Sequence, residues 1–204
     1  MFTDDNRDST VIAHNGAGYD NKFILQYCLN KGLIPSSFIR QGSRITYMSF
    51  NQFHIRFIDS YHFFLQPLKK ISCTYNIDTL KGYFPHHFNK PENQNYIGKI
   101  PAEKEYGVKN MMVDEYEKEF KPWYNQQLEI TNWSFKSEME KYCRADVELL
   151  SKTVLKFRKM FIDKLDTDPF RYTTLASLCM SIYINKFIHE KKQLLEIIVI
   201  NKIL

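Results

Sequence analysis

Residues 11–31 constrain the fold more than any other stretch. A short apolar run, Val11-Ile12-Ala13, passes through a glycine-broken loop into an amphipathic segment. The apolar run reads as a short buried strand. His14-Asn15-Gly16-Ala17-Gly18 follows as a loop, because two glycines so close together relax the backbone and end regular structure. The spacing then predicts a helix over 20–31, with Phe23, Ile24, Tyr27 and Cys28 on one face and Gly32 placed to stop it. Strand, loop and helix in succession are the building block of α/β folds, so α/β is the expected class.

The remaining elements extend that frame. Residues 44–50 and 53–59 alternate in polarity around Asn51-Gln52, and Phe53, Ile55 and Phe57 share a face, which predicts a β-hairpin. Pro67 opens a helix carrying Leu68, Ile71 and Tyr75 on one side. Over 82–132 periodicity fails while prolines, asparagines and charges dominate. That stretch is expected to be a long irregular insertion with a short helix near 114–120. Ser137-Glu138-Met139-Glu140 has the form of a capping box, in which a Ser oxygen and a Glu carboxylate each satisfy an orphan N–H; it predicts a helix from 137 to about 161. A last helix is predicted from Asp168-Pro169, with Leu175, Leu178, Cys179 and Ile182 on its apolar side. Residues 1–10 are polar and are expected to fray.

Composition narrows the partners. A chain of 204 residues can bury one core and carry an appendage. Its net charge of +5 permits a polyanionic ligand without demanding one, and an aromatic content of 15% serves either core packing or base stacking. Cys28, Cys73, Cys143 and Cys179 stand far apart in no C-x-x-C pattern, and are expected to be reduced buried thiols rather than a zinc site or disulfides. No basic, apolar leader follows Met1, and the apolar stretch 194–200 is too short to span a bilayer. The expectation is an intracellular protein, compartment unassigned, with no membrane partner.

Two constellations carry chemistry. Asn15-x-x-x-x-Asp20 follows the buried strand, at the strand end where α/β sheets bind ligands; the same spacing also suits Asp20 as a helix N-cap. Tyr142-x-x-x-Asp146 lies inside a predicted helix, where i, i+4 spacing puts a hydroxyl and a carboxylate on one face, as it would on a solvated surface. His86-His87 reads as a turn flank, because adjacent side chains diverge, and Trp123-Tyr124 as a satellite hydrophobic cluster.

Together these stretches resemble family B DNA polymerases of the protein-primed type. Ala13-His14-Asn15 through Gly18-Tyr19-Asp20 and on to Phe23-Ile24-Leu25 is similar to the second exonuclease motif of that family, and Tyr142-Cys143-Arg144-Ala145-Asp146-Val147 to its third. Gly82-Tyr83-Phe84-Pro85-His86-His87-Phe88-Asn89 and Pro91-Glu92-Asn93-Gln94-Asn95-Tyr96 resemble the polymerases of self-synthesising transposons and related viruses. Asp168-Pro169-Phe170-Arg171-Tyr172, continuing to Cys179-Met180, is similar to the segment leading into the polymerase half. The resemblance covers roughly 11–187, in the family's order.

The resemblance implies a ribonuclease H-like 3′→5′ exonuclease fold in a DNA-directed DNA polymerase, a nucleotidyltransferase. Its hydrolysis uses two divalent ions, Mg²⁺ or Mn²⁺, about 3.5–4 Å apart on carboxylate oxygens. By resemblance Asp20 and Asp146 are metal ligands and catalytic residues, Tyr142 orients the attacking water, and His14, Asn15, Tyr19, Ser60 and Tyr61 contact single-stranded DNA at its 3′ end. Lys81 matches an assisting lysine, and a terminal priming protein is the family's partner; oligomeric state is left open. The family's first motif, Asp-x-Glu on the first strand, is not present: only 14 residues precede Asn15, and Asp4, Asp5 and Asp8 have the wrong spacing. The expected product is an N-terminally truncated domain whose first strands are missing, with strand 11–13 deprived of its parallel partner and apolar surface uncovered. Little or no nuclease activity is expected of this chain alone. The alternative is a non-catalytic single-stranded-DNA-binding remnant. The expected organisation is a disordered stretch 1–10, a partial exonuclease domain 11–165 with its insertion at about 82–132, a polymerase-side connection 166–188, and an unmatched tail 189–204.

Overall fold

The structure, a computed structural model, describes residues 2–77 and 82–188. They fall into two compact units, one of residues 2–71 and 152–188, the other of residues 72–77 and 82–151. Lys81 and the stretch 189–204 lie outside the described residues.

The first unit holds a four-stranded mixed sheet. Its strands are β1 (Thr10–Ala13), β2 (Ser37–Gln41), β3 (Arg44–Phe50) and β4 (Ile55–Asp59), in spatial order β1-β4-β3-β2, and α1 (Asp20–Asn30) follows β1. β1 pairs in parallel with β4, Val11 beside Phe57 and Ala13 beside Asp59. The expectation that strand 11–13 lacks a parallel partner is therefore corrected: the second strand of the hairpin supplies one. The hairpin itself is present as β3 and β4, antiparallel with Phe50 beside Ile55. β4 starts at Ile55 because Phe53 and His54 turn the chain, His54 at φ 53°. Strand β2 escaped the sequence reading, since every residue in it is exposed. Its signal was the two-residue connection Gly42-Ser43, with Gly42 at φ 61°, the geometry that glycine-first hairpin turns require.

One face of this sheet packs under α1 through Met48, Phe50, Ile55 and Phe57, joined by Cys28. The predicted helix is present, but its inward face is rotated. Asn21 and Cys28 are buried, whereas Phe23 and Tyr27 are 67% and 60% exposed. The physical reason is Asn21, whose Nδ2 donates to Ile45 O at 2.8 Å and pins the start of the helix to the sheet. The first ten residues are not wholly frayed either. Phe2 sits 4.9 Å from the Phe50 ring and 5.3 Å from Phe53, and Asp4–Asn6 form a 3-10 turn. Only Cys28 of the four cysteines is buried; Cys73, Cys143 and Cys179 are exposed, correcting the expectation of buried thiols, and all four are free.

Arg56 alternates with Ile55 and Phe57 and so points from the opposite face. Its guanidinium donates to Thr10 Oγ1 at 2.8 Å, Phe170 O at 2.6 Å and Arg171 O at 3.3 Å. Phe63, Phe64, Phe157, Phe161 and Phe170 make a separate set of ring contacts in this unit, 4.7–6.1 Å between centroids.

Helix α2 (Leu68–Thr74) follows Pro67 as predicted, with Ile71 buried. In the second unit, residues 82–132 contain mostly short turns, yet they are organised by a dense core of the rings Phe84, Tyr106, Phe120, Tyr124, Trp133 and Phe135 around Ile100. Each such ring removes on the order of 150–250 Å² from water, enough to hold a unit with little regular structure. A helical run joins α3 (Val113–Glu115), a π-helical turn (Tyr116–Phe120) and α4 (Lys121–Gln127), longer than the expected 114–120. Two short strands, β5 (Ile97–Gly98) and β6 (Trp133–Ser134), pair antiparallel.

The long helix α5 spans Phe135–Leu165 and starts two residues before the predicted capping box. Ser137 lies inside it, and Ser134 Oγ accepts the Ser137 N–H at 3.5 Å instead, because burial of Phe135 draws the first turn forward. The last helix, α6 (Leu175–Lys186), also differs from expectation. Asp168 caps the 3-10 turn Pro169–Arg171, while α6 is capped by Thr174 in a capping box with Ser177. Leu178 and Ile182 are buried on α6 and Cys179 is exposed. Among the described residues no helix is long and apolar enough to cross a membrane.

Candidate functional site

Parallel pairing puts Ala13 beside Asp59, so the chain leaves the sheet twice at the same end. After β1 comes the loop 14–19; after β4 comes the 3-10 turn Ser60–His62. Asp59 is fully buried and accepts hydrogen bonds from both exits. Its Oδ1 takes the N–H of Asn15 at 2.8 Å and of Tyr61 at 2.9 Å, and its Oδ2 the N–H of Ala17 at 3.0 Å. Charge-assisted bonds of this kind offset the cost of burying a carboxylate.

A second tie joins the same exits. Ser60 Oγ donates to Ala13 O at 3.1 Å and lies 3.1 Å from His14 Nδ1. His14 Nε2 is 3.1 Å from Gln66 O. A carbonyl only accepts, so Nε2 carries hydrogen there. The His14 ring lies 5.7 Å from that of Tyr61. Three of the residues expected to touch single-stranded DNA, His14, Ser60 and Tyr61, thus form one cluster.

Asn15 adopts the left-handed conformation at φ 63°, which asparagine tolerates better than most residues, and its Oδ1 accepts from Arg44 Nη2 at 2.7 Å. Gly16 is required by space: a Cβ there would lie 2.8 Å from Ala13 Cβ. Its carbonyl accepts the Asn21 N–H at 3.0 Å, leading the loop into α1. Tyr19 is 72% exposed, with Lys22 Nζ 5.7 Å from its ring centre. Tyr19, not Asp20, occupies the N-cap position, and it makes no side-chain cap. Asp20 is the first residue of α1 and is exposed, so the N-cap alternative for it is set aside.

Tyr142 and Asp146 lie on α5 in the second unit. The Tyr142 ring is 5.2 Å from Phe84 and meets His86 edge-on at 5.5 Å, so part of the GYFPHHF stretch supports it. Asp146 Oδ1 is screened from solvent. Asp20 and Asp146 belong to different units. Among the described residues no three His, Cys, Asp or Glu side chains gather as a metal-holding group. The carboxylates of Asp20 and Asp146 alone fall short of the oxygen-rich set that two hard dications require. Among the described residues, this donor set by itself does not fit a two-metal centre.

Sequence reasoning missed Asp59 and Arg44. The signal for Asp59 was a carboxylate closing a strand with apolar residues at Ile55, Phe57 and Ile58, directly before Ser60-Tyr61.

Comparison with known proteins converges on one family. The family model described as DNA polymerase type B, organellar and viral, matches residues 3–203, extending past the span 11–187 read from motifs. A DNA polymerase of Kluyveromyces lactis is 32% identical over 188 residues, covering 85% of this chain and 18% of its own length. Probable DNA polymerases of Ascobolus immersus and Neurospora intermedia are 28% and 27% identical, covering 92% and 88% of this chain. The chain spans 16–19% of the length of these three relatives. No solved structure matches significantly.

Proposed function

The chain belongs to the organellar and viral type B DNA polymerases, and from that premise we propose that it is the part of a protein-primed enzyme derived from the 3′→5′ proofreading exonuclease. The observation that carries this reading is the cluster at the end of β1 and β4, where His14, Asn15, Ser60 and Tyr61 converge, with the exposed ring of Tyr19 closing the same 14–19 loop. Such a cluster suits a single-stranded 3′ end. An open aromatic ring stacks on any base, a contact worth about 1–3 kcal/mol. The Asn15 carboxamide and Arg44 guanidinium, 2.7 Å apart, offer polar partners for sugar and phosphate. A parallel β1–β4 pair with α1 on one face supports a ribonuclease H-like sheet. Polymerisation, the priming protein and the double-stranded product belong to the whole enzyme in this reading, not to this segment.

A second reading, single-strand holding without hydrolysis, is favoured by the donor set: Asp20 and Asp146 do not complete a two-metal centre. Incubating the purified chain with a labelled single-stranded oligonucleotide and Mg²⁺ or Mn²⁺, beside Asp146→Ala, separates the two. We expect binding without degradation. Shortening from the 3′ end that disappears in Asp146→Ala would mean that the two carboxylates suffice, and the holding-only reading would fall. Absence of both binding and shortening would overturn both readings.

A further inference from the structure

We infer that Asp59 is a positioning residue, which sets the backbone of loop 14–17 so that Asn15 presents its side chain to the DNA strand. The inference rests on the single-strand reading above, and every residue in it lies in the first unit. Asp59 closes β4 and is wholly buried, yet the groups that it holds are main-chain N–H groups rather than a cation. Two of the three belong to Asn15 and Ala17, in a loop reached across the β1–β4 pair, 42–44 residues away in sequence.

Asn15 pays for its left-handed backbone with strain that a non-glycine residue sustains only when its surroundings impose it. Asp59 is that imposition on one side of the residue, since its Oδ1 grips the Asn15 N–H at 2.8 Å. On the other side Gly16 packs against Ala13 too tightly for any Cβ. The Asn15 Oδ1 that results faces Arg44 Nη2 at 2.7 Å, which aligns carboxamide and guanidinium side by side. The same Oδ1 of Asp59 also holds the Tyr61 N–H, so a single carboxylate oxygen sets both halves of the cluster.

Asp59→Asn tests this with little change of volume. A carboxamide keeps one acceptor oxygen and turns an NH₂ toward the remaining N–H, so at least one loop amide loses its partner. Affinity for a labelled single-stranded oligothymidylate is expected to fall on the order of tenfold, about 1.4 kcal/mol. Asn15→Ala should fall similarly, and the double variant no further than the weaker single one, because both changes remove one arrangement. A merely structural role for Asp59 would give additive losses, and additivity would overturn the inference.

Amide hydrogen exchange of the unmodified chain supplies a readout independent of DNA and of any variant's folding. The Asn15 and Ala17 amides should exchange as slowly as those of β4; rapid exchange would overturn the inference even if the oligonucleotide binds. Should the chain fail to bind DNA while those amides are protected, the single-strand reading falls and Asp59 retains only its hold on the loop.

Discussion

Tyr106 isolates a single-residue effect. It belongs to the aromatic core of the second unit, and its hydroxyl is buried without a hydrogen-bond partner among the described residues. Burial, with smaller contributions from Tyr124 and Glu138, pushes its phenol well above the ordinary value of 10. A buried donor without a partner costs about 1–3 kcal/mol, and removing it leaves the ring contacts with Phe120, Trp123 and Tyr124 in place. Tyr106→Phe is therefore expected to stabilise the chain by about 1 kcal/mol, read as a higher urea midpoint at unchanged slope. A lower midpoint would mean that the hydroxyl is satisfied in solution. Tyr124 is the contrasting case, since its Oη donates to Pro101 O at 3.1 Å.

At the scale of elements, an ion pair braces the junction after α5. Arg158 Nε and Nη2 both donate to Asp168 Oδ2, at 3.0 and 2.7 Å, while Asp168 Oδ1 caps the Phe170 N–H at 3.1 Å. Burial pushes the Asp168 carboxyl upward. The Arg158 hydrogen bonds, the Phe170 N–H and the charges of Arg158 and Arg171 outweigh that and hold it below the usual carboxylate range. A lowered folded pKa gives stabilisation that is present above the unfolded value of 3.8 and lost as pH falls through the folded one. Asp168→Asn keeps an oxygen for the cap and removes the charge. At pH 7 it should cost no more than about 1 kcal/mol, because the arginine is half exposed and the pair is screened. Thermal melts of the two proteins should converge as the pH drops below 3.8; a gap that persists at acid pH would assign the stabilisation to packing instead.

For the molecule as a whole, charge sets how it meets a polyanion. The net charge of +5 is spread over 28 basic and 23 acidic residues, so long-range attraction is modest and the specific cluster has to supply the rest. Oligonucleotide affinity should fall with salt at a slope of about −0.7 per phosphate neutralised, and we expect that slope to be shallow. Fluorescence anisotropy between low and physiological salt measures it. A steep slope would mean that a wide basic surface, rather than the loop beside Asp59, carries the binding.

The amino-acid sequence by itself determined the local elements and the family. The strand read at 11–13, the helix after Asp20, the β3–β4 hairpin and the helix behind Pro67 were legible, because polarity periods and turn residues act between near neighbours. The resemblance singled out His14, Asn15, Tyr19 and Asp20, and the structure puts all four in the turn from β1 into α1. What only the tertiary structure decided were contacts that cross long sequence separations. The rotation of α1 follows from Asn21 reaching Ile45, the aromatic core of the second unit from rings up to 51 residues apart (Phe84 and Phe135), and the starts of α5 and α6 from where Phe135 is buried and Thr174 caps. Asp59 belongs to the same group. Its place at the end of the strand before Ser60-Tyr61 marks it only weakly; the parallel register that brings Ala13 beside it makes it the acceptor for the loop after β1.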